Sequence, residues 1–228
     1  MLTSSNDALK RLAAHEALQF LKPGMVLGVG TGSTVNHFIA LIHAHQIAID
    51  AAVSSSNASS ELLRSLGIRV IDPNTVEHLP LYVDGADEVD PRCRLIKGGG
   101  GALTREKILA DLAERFVCIV DEAKCVPVLG GFPLPIEVLA LARAQVTRKL
   151  EALGAKVRVR EGFLSDNGHP IIDAAGLSID DPVSLEATIN QWPGVVSVGL
   201  FAARAADLVL VAGKAGVRTL TPERQGDS

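Results

Sequence analysis

Between Leu81 and Ile108 the chain reads LYVDGADEVDPRCRLIKGGGGALTREKI, with acids on both sides of a lysine and four consecutive glycines. Lys97 followed by Gly98, Gly99, Gly100 and Gly101 sets a cation beside backbone N–H groups that no side chain covers, a set able to stabilise negative charge developing on a substrate oxygen. Four glycines cost backbone entropy and return no packing, so the chain there must approach something closely or bend where a Cβ would clash. A linker carrying a helical ion pair is the plainer alternative, but glycine linkers carry serine and do not join a strand to a helix inside a compact sheet. Glu106 lies in the first turns of the following helix, where it can serve as a base. The helix dipole lowers its pKa by less than one unit for a term of ~0.3–1 kcal/mol, and burial raises a carboxylate by more.

Upstream, DGADEVD supplies Asp84, Asp87, Glu88 and Asp90 at the end of an apolar strand. Asp84 is expected to point into a cleft, and Gly85 permits close approach. The spacing is not that of an EF-hand and no His joins the acids, so no metal site is expected; a solvated acidic turn is the alternative. A second glycine-bearing stretch, GVGTGST from Gly28 to Thr34, matches neither G-x-G-x-x-G nor a Walker A loop. It presents N–H groups and hydroxyls where a helix begins, which suits a phosphate or another small anion, or else it is a tight turn with Thr31 or Ser33 capping the helix. Lys124, in DEAK at another strand end, offers a further anion contact or a solvated side chain. Cys125 reads as structural because no His lies near it, and His43 and His45 read as solvated.

These residues need a frame that brings strand ends together. Apolar runs such as MVLGVG, LPLYVDGA and VCIVDE alternate with helical periodicity, for example in VNHFIALIHAH and NASSELLRSLG, with IDAAVSSS and IRVID as further strands. The pattern specifies a mostly parallel, Rossmann-like α/β sheet flanked by helices, whose ligands sit at the strand carboxyl ends. TGST, SSS, DGAD and DEAK all fall there. From about Pro133 the order becomes βαββαβ, that of a smaller ferredoxin-like α+β unit. The expected division is therefore a catalytic domain from 1–131 plus about 206–228 and a second, oligomerising domain from 132–205. The polar tail PERQGDS is expected to be loose.

Composition narrows the class. Of the 228 residues 47% are hydrophobic and 21% charged, which excludes a disordered chain. No apolar run approaches the ~18 residues of a membrane span, and the N-terminus lacks the pattern of a secretory signal. Three cysteines without a C-x-x-C fit a reduced, cytoplasmic protein. A net charge of −4 with one Trp and one Tyr argues against nucleic acid as a partner.

Taken together, GVGTGST, YVDGADEVD, KGGGGALTREKI, IVDEAK, FPLPIEV, SDNGHPIID and PGVVSVGLF, in this order and spacing, resemble ribose-5-phosphate isomerase of the A type from about Lys10 to Thr219. The resemblance implies a cofactor-free aldose–ketose isomerase, interconverting ribose 5-phosphate and ribulose 5-phosphate through an enediol(ate), as a homodimer or higher oligomer. It makes Glu106 the base that moves a proton between C1 and C2. Asp84 and Asp87 would hold sugar hydroxyls, with Gly85 and Ala86 between them, and Asp84 would also assist ring opening and the proton transfer between O1 and O2. Lys97 with the backbone of Gly98, Gly99 and Gly100 would stabilise the enediolate oxygen. Thr31, Gly32, Ser33 and Thr34 with Lys124 would hold the phosphate, which Lys10 would also reach. Ala123 and Gly131 depart from the family pattern, where serine and lysine are common, and bear on affinity more than on reaction type. An amino-sugar phosphate deaminase would want a histidine relay and a CoA transferase a different glutamate motif. A binding regulator that has lost catalysis is disfavoured by Glu106, Asp84 and Lys97 standing together.

Overall fold

A strand covered by helices on both faces has no polar side, so its sequence runs apolar throughout. FVCIVD is such a strand, buried at every position. In the computed structural model, which describes residues 2–222, the chain runs α1 (Leu2–Ala17), β1 (Val26–Val29), α2 (Ser33–Ala44), β2 (Ala51–Ser54), α3 (Asn57–Ser65), β3 (Leu81–Asp84), β4 (Glu88–Val89), β5 (Leu95–Ile96), α4 (Leu103–Leu112) and β6 (Phe116–Asp121). It continues β7 (Leu134–Val138), α5 (Arg143–Ala152), β8 (Lys156–Val159), β9 (Ile171–Ala175), α6 (Pro182–Asn190), β10 (Val195–Val198), β11 (Leu200–Phe201), β12 (Leu208–Gly213) and β13 (Gly216–Leu220).

The main sheet has the order β13-β12-β6-β3-β1-β2, parallel throughout except for the β12–β13 hairpin. One face packs Leu27, Val29, Val83 and Ile119 against Ala13, Ala17, Phe38, Ile39 and Ile42 of α1 and α2. The other packs Tyr82, Phe116, Cys118 and Val120 against Leu109 and Ala110 of α4. Truncating Ile39 or Leu109 to alanine would cost about 2–5 kcal/mol. The smaller sheet is antiparallel in the order β10-β7-β9-β8, the ferredoxin-like arrangement, and buries Ile136, Ile172 and Val198 against Val146, Leu150 and Ile189 of α5 and α6. A three-stranded sheet, β11-β5-β4, delivers the chain to Lys97. Among the described residues no helix is long and apolar enough to cross a membrane.

Two local expectations are corrected, that for IRVID and that for the cap of α2. IRVID is not a strand: it lies beside the edge of the sheet, makes one bridge from Val70 to Ala52, and turns away at Pro73, which cannot donate a ladder hydrogen bond. The helix after the glycine run ends at Leu112, because Ala113 is extended and Phe116 already belongs to β6. Neither Thr31 nor Ser33 caps α2; the cap position is Gly32, without a side-chain hydrogen bond. α3 is capped by Ser56, whose hydroxyl accepts from Ser59 N–H at 3.1 Å. Of the tail PERQGDS, residues 223–228 lie outside the described residues.

Candidate active site

Because β1, β2, β3 and β6 run parallel, the segments after Val29, Ser54, Asp84 and Asp121 emerge on one edge of the sheet. Those after Val29, Asp84 and Asp121 meet the glycine run across a cavity of about 150 Å³. Its walls bring together Thr31, Gly32, Ser33 and Thr34, then Gly85, Ala86 and Asp87, then Lys97, Gly98, Gly99 and Gly100, with Glu106, Lys10 and Lys124. These are the expected residues, with one exception. Asp84 stands behind the wall.

Asp84 is fully buried and its carboxylate is engaged on every side. It accepts from Lys97 Nζ (2.7 Å), Thr31 N–H (3.1 Å), Gly85 N–H (2.7 Å) and the Tyr82 hydroxyl. The expectation that it points into the cleft is therefore corrected: these four donors turn it toward the protein. Gly30 makes this packing possible, since a Cβ at that position would lie 1.9 Å from Asp84 Oδ1. Tyr82 was not singled out from the sequence, although the signal was present, because residues two apart on a strand share a face. Burial, followed by the nearby Asp84 and Glu106 carboxylates, pushes its phenol well above the usual range, so it remains a donor.

Lys97 is 2% exposed and sits between two acids, 2.7 Å from Asp84 Oδ2 and 3.4 Å from Glu106 Oε2, while donating to Gly85 O at 2.6 Å. Burial lowers its pKa, but the two carboxylates outweigh burial and raise it. Glu106 is 3% exposed, and its Oε2 has no hydrogen-bond partner among the described residues. Its pKa is pushed up to about 8, first by burial and then by Asp84, against the lowering effect of Lys97. The dipole of α4 does not overcome burial. The result is a buried carboxylate at the wall of a polar cavity, ion-paired with Lys97 but with no hydrogen bond to Oε2.

At the opposite wall Lys10 Nζ donates to Ser33 Oγ (2.9 Å), and the Thr31 hydroxyl bonds Ser56 Oγ (2.7 Å), so the two hydroxyls considered as caps serve the turn and its neighbours instead. Lys124 projects from a one-turn 3₁₀ helix whose start is capped by Asp121. Asp87 Oδ2 accepts from Gly99 N–H at 2.7 Å, which ties the acidic turn to the glycine run. Among the described residues there is no cluster of three or more His, Cys, Asp or Glu arranged to hold a metal. Cys125 is partly buried with its thiol pKa raised by burial, while His43 and His45 are exposed.

Residues 51–216 match the family model described as ribose 5-phosphate isomerase A (phosphoriboisomerase A). The chain belongs to the ribose 5-phosphate isomerase A family. Ribose-5-phosphate isomerase A of Leptothrix cholodnii is 55% identical over 217 residues, 95% of this chain and 99% of that one. The protein of the same name from Methylibium petroleiphilum is 54% identical over 216 residues, with the same coverage. The crystal structure of ribose 5 phosphate isomerase A from Neisseria gonorrhoeae has a TM-score of 0.93 at 44% identity, over 95% of this chain and 97% of that one. A D-ribose-5-phosphate isomerase in complex with phospho-erythronic acid has a TM-score of 0.90 at 40% identity, over 94% and 98%. The ribose 5-phosphate isomerase A family is one of aldose–ketose isomerases acting on a pentose phosphate.

Proposed function

We propose that this chain interconverts D-ribose 5-phosphate and D-ribulose 5-phosphate in the pentose phosphate pathway through an enediol(ate), with Glu106 as the general base. The observation that carries the reading is Glu106 itself: a buried carboxylate at the wall of the cavity, whose Oε2 makes no hydrogen bond and has the Lys97 ammonium 3.4 Å away. A base with a pKa near the working pH combines an adequate ionised fraction with adequate basicity toward a carbon acid.

In this reading the phosphate lies among the backbone and hydroxyls of Thr31, Gly32, Ser33 and Thr34 at the start of α2, with Lys10 and Lys124 beside it. The sugar then extends past Gly85, Ala86 and Asp87, and Asp87 holds its hydroxyls. Glu106 removes the C2 proton of the open-chain aldose and returns it to C1 while a proton passes from O2 to O1, so that the C1 carbonyl becomes a hydroxyl and C2 the carbonyl; the reverse reaction uses the same positions. Lys97 and the Gly98–Gly100 backbone stabilise the oxygen on which charge develops. Asp84 acts mainly through Lys97, holding the ammonium between substrate oxygen and Glu106. A direct contact from Asp84 to a sugar hydroxyl, or its help in ring opening, requires one of its present bonds to be given up. The larger sheet unit carries this chemistry in the cytoplasm, and two copies associate through the smaller unit, 132–205, where Leu141 is 98% exposed.

Proton NMR of ribose 5-phosphate in D₂O, with EDTA present, tests the reaction. Loss of the C2 proton with appearance of ribulose 5-phosphate is expected. Binding without any spectral change would reject catalysis and leave a sugar-phosphate-binding protein.

A further inference from the structure

The glycine run at 98–101 has no side chains with which to fix itself, yet its use as a donor of N–H groups depends on which way each peptide faces. Arg160, just past the end of β8 in the smaller sheet, addresses this directly. Its guanidinium donates from Nη2 to Gly98 O (3.0 Å) and from Nη1 to Gly99 O (3.0 Å). The same group is gripped by Asp173 of β9, through Nε to Oδ2 and Nη2 to Oδ1, both 2.7 Å. Arg160 is not among the residues lining the cavity, so it reaches the site only through the backbone it holds.

In a trans peptide the C=O and the following N–H point in opposite directions. Fixing Gly98 O on Arg160 therefore sends Gly99 N–H the other way, where it donates to Asp87. Fixing Gly99 O on Arg160 sends Gly100 N–H away from the guanidinium. Gly100 lines the cavity, and its N–H has no acceptor among the described residues. The cation also draws two carbonyl oxygens away from a place where negative charge is to develop, and polarises the peptides that carry the donors. Resting on the isomerase reading above, we propose that Arg160, braced by Asp173, is a positioning residue of the reaction. It orients the glycine run so that the Gly100 N–H faces the developing oxyanion while the anion-binding turn at 31–34 is left untouched.

Arg160→Lys and Arg160→Gln test this. Lysine keeps the charge but lacks the planar fork that reaches two carbonyls and a carboxylate together. The readouts are kcat, KM, and inhibition constants for two probes, inorganic phosphate and a phosphorylated four-carbon aldonate whose carboxylate mimics the enediolate oxygens. Removing an oxyanion donor outright costs about 10²–10³ in kcat, so displacing one should lower kcat about 10- to 100-fold in both variants. The aldonate should weaken by a similar factor, and inorganic phosphate should bind as it does to the parent. Unchanged kcat in both variants overturns the proposal, as does equal weakening of the two probes, which would mean that Arg160 holds the whole site rather than one wall. Should either variant fail to fold by circular dichroism, Asp173→Asn loosens the guanidinium without removing it. The same pattern at smaller size supports the proposal, and parent-like constants reject it. Glu106→Gln and the parent run alongside: no turnover by the parent rejects the isomerase reading, whereas an active parent, an inactive Glu106→Gln and fully active Arg160 variants reject only the role of Arg160.

Discussion

The two glycine-bearing segments of the site, 28–34 and 97–101, are built in different ways. The first is fixed by neighbours in its own sheet. Gly30 N–H donates to Val83 O (2.9 Å), Thr31 N–H donates to Asp84, and the Thr31 hydroxyl meets Ser56, so the parallel register of β1, β2 and β3 determines the turn. The second is fixed from outside. Gly98 adopts φ +105°, with Pro135 of β7 pressed against it, and Arg160 reaches across from the strand layer of the smaller sheet. One wall therefore depends on one sheet, and the other on how two sheets meet. If the first wall binds and the second reacts, substitutions on the two sides should separate affinity from turnover.

Glu106→Gln is the largest expected break on the reacting side. A positioned acid–base group contributes about 10²–10⁴ in rate, so kcat should fall by that factor with KM little changed. Steady-state kinetics that show activity within a few-fold of the parent would remove Glu106 from the mechanism. The same variant has a stability signature. Folding raises the Glu106 pKa from the ordinary carboxylate range to about 8, so between those values the native state holds a proton that the unfolded chain has released. Parent stability therefore declines as pH rises through that window. Glu106→Gln has no such proton, and its urea midpoint relative to the parent should climb from about pH 4.5 to pH 8 and then level off.

Lys97→Met should follow, with kcat lower by about 10²–10³, the loss typical of an oxyanion-stabilising group. It also leaves Asp84 and Glu106 buried without the cation between them, so thermal denaturation should report lower stability, and the Glu106 pKa should move above its parent value. A Lys97→Met protein with parental turnover would show that the glycine backbone alone carries the charge.

Much of this wall was legible because its parts are close in sequence: DGAD, Lys97, the glycines and Glu106 span few residues and sit at element ends that periodicity marks. Its supports were not. Thr104, two residues before Glu106, donates to Glu137 Oε2 (2.5 Å), and the other oxygen of Glu137 accepts from Ser165 (2.7 Å) and Asn167 (3.1 Å). Arg160 and the carbonyls it holds are 61 and 62 residues apart. Such pairs follow from the docking of two sheets, which no local spacing encodes. The burial of Asp84 behind the wall was missed for a related reason, since its four donors come from β3, the residue after β3, the turn after β1 and the residue after β5. On the other wall, the strand ends needed only the α/β alternation to be placed together.

Lys124→Ala probes that other wall. A charged contact to a phosphate contributes about 1.5–3 kcal/mol, equivalent to roughly 10- to 100-fold in KM, with kcat close to the parent. Parental KM would reject a phosphate contact from Lys124, and a fall confined to kcat would reverse the proposed division between the two walls.

The smallest effect expected is a displacement of a pH profile, and it tests whether the walls communicate through Asp87. For the free enzyme kcat/KM should rise with pH to a limb near 8, because the base must be ionised to accept a proton. Asp87 faces the cavity and its negative charge adds to the pressure on Glu106, after burial and Asp84. Asp87→Asn removes that charge while keeping an oxygen able to accept from Gly99 N–H, so the limb should shift to lower pH even though loss of a sugar contact reduces the plateau. The position of the limb and its height report different things: the first is the electrostatic field at Glu106, the second is substrate binding. A reduced plateau with the limb unmoved would confine Asp87 to binding and leave burial and Asp84 as the groups that raise the base.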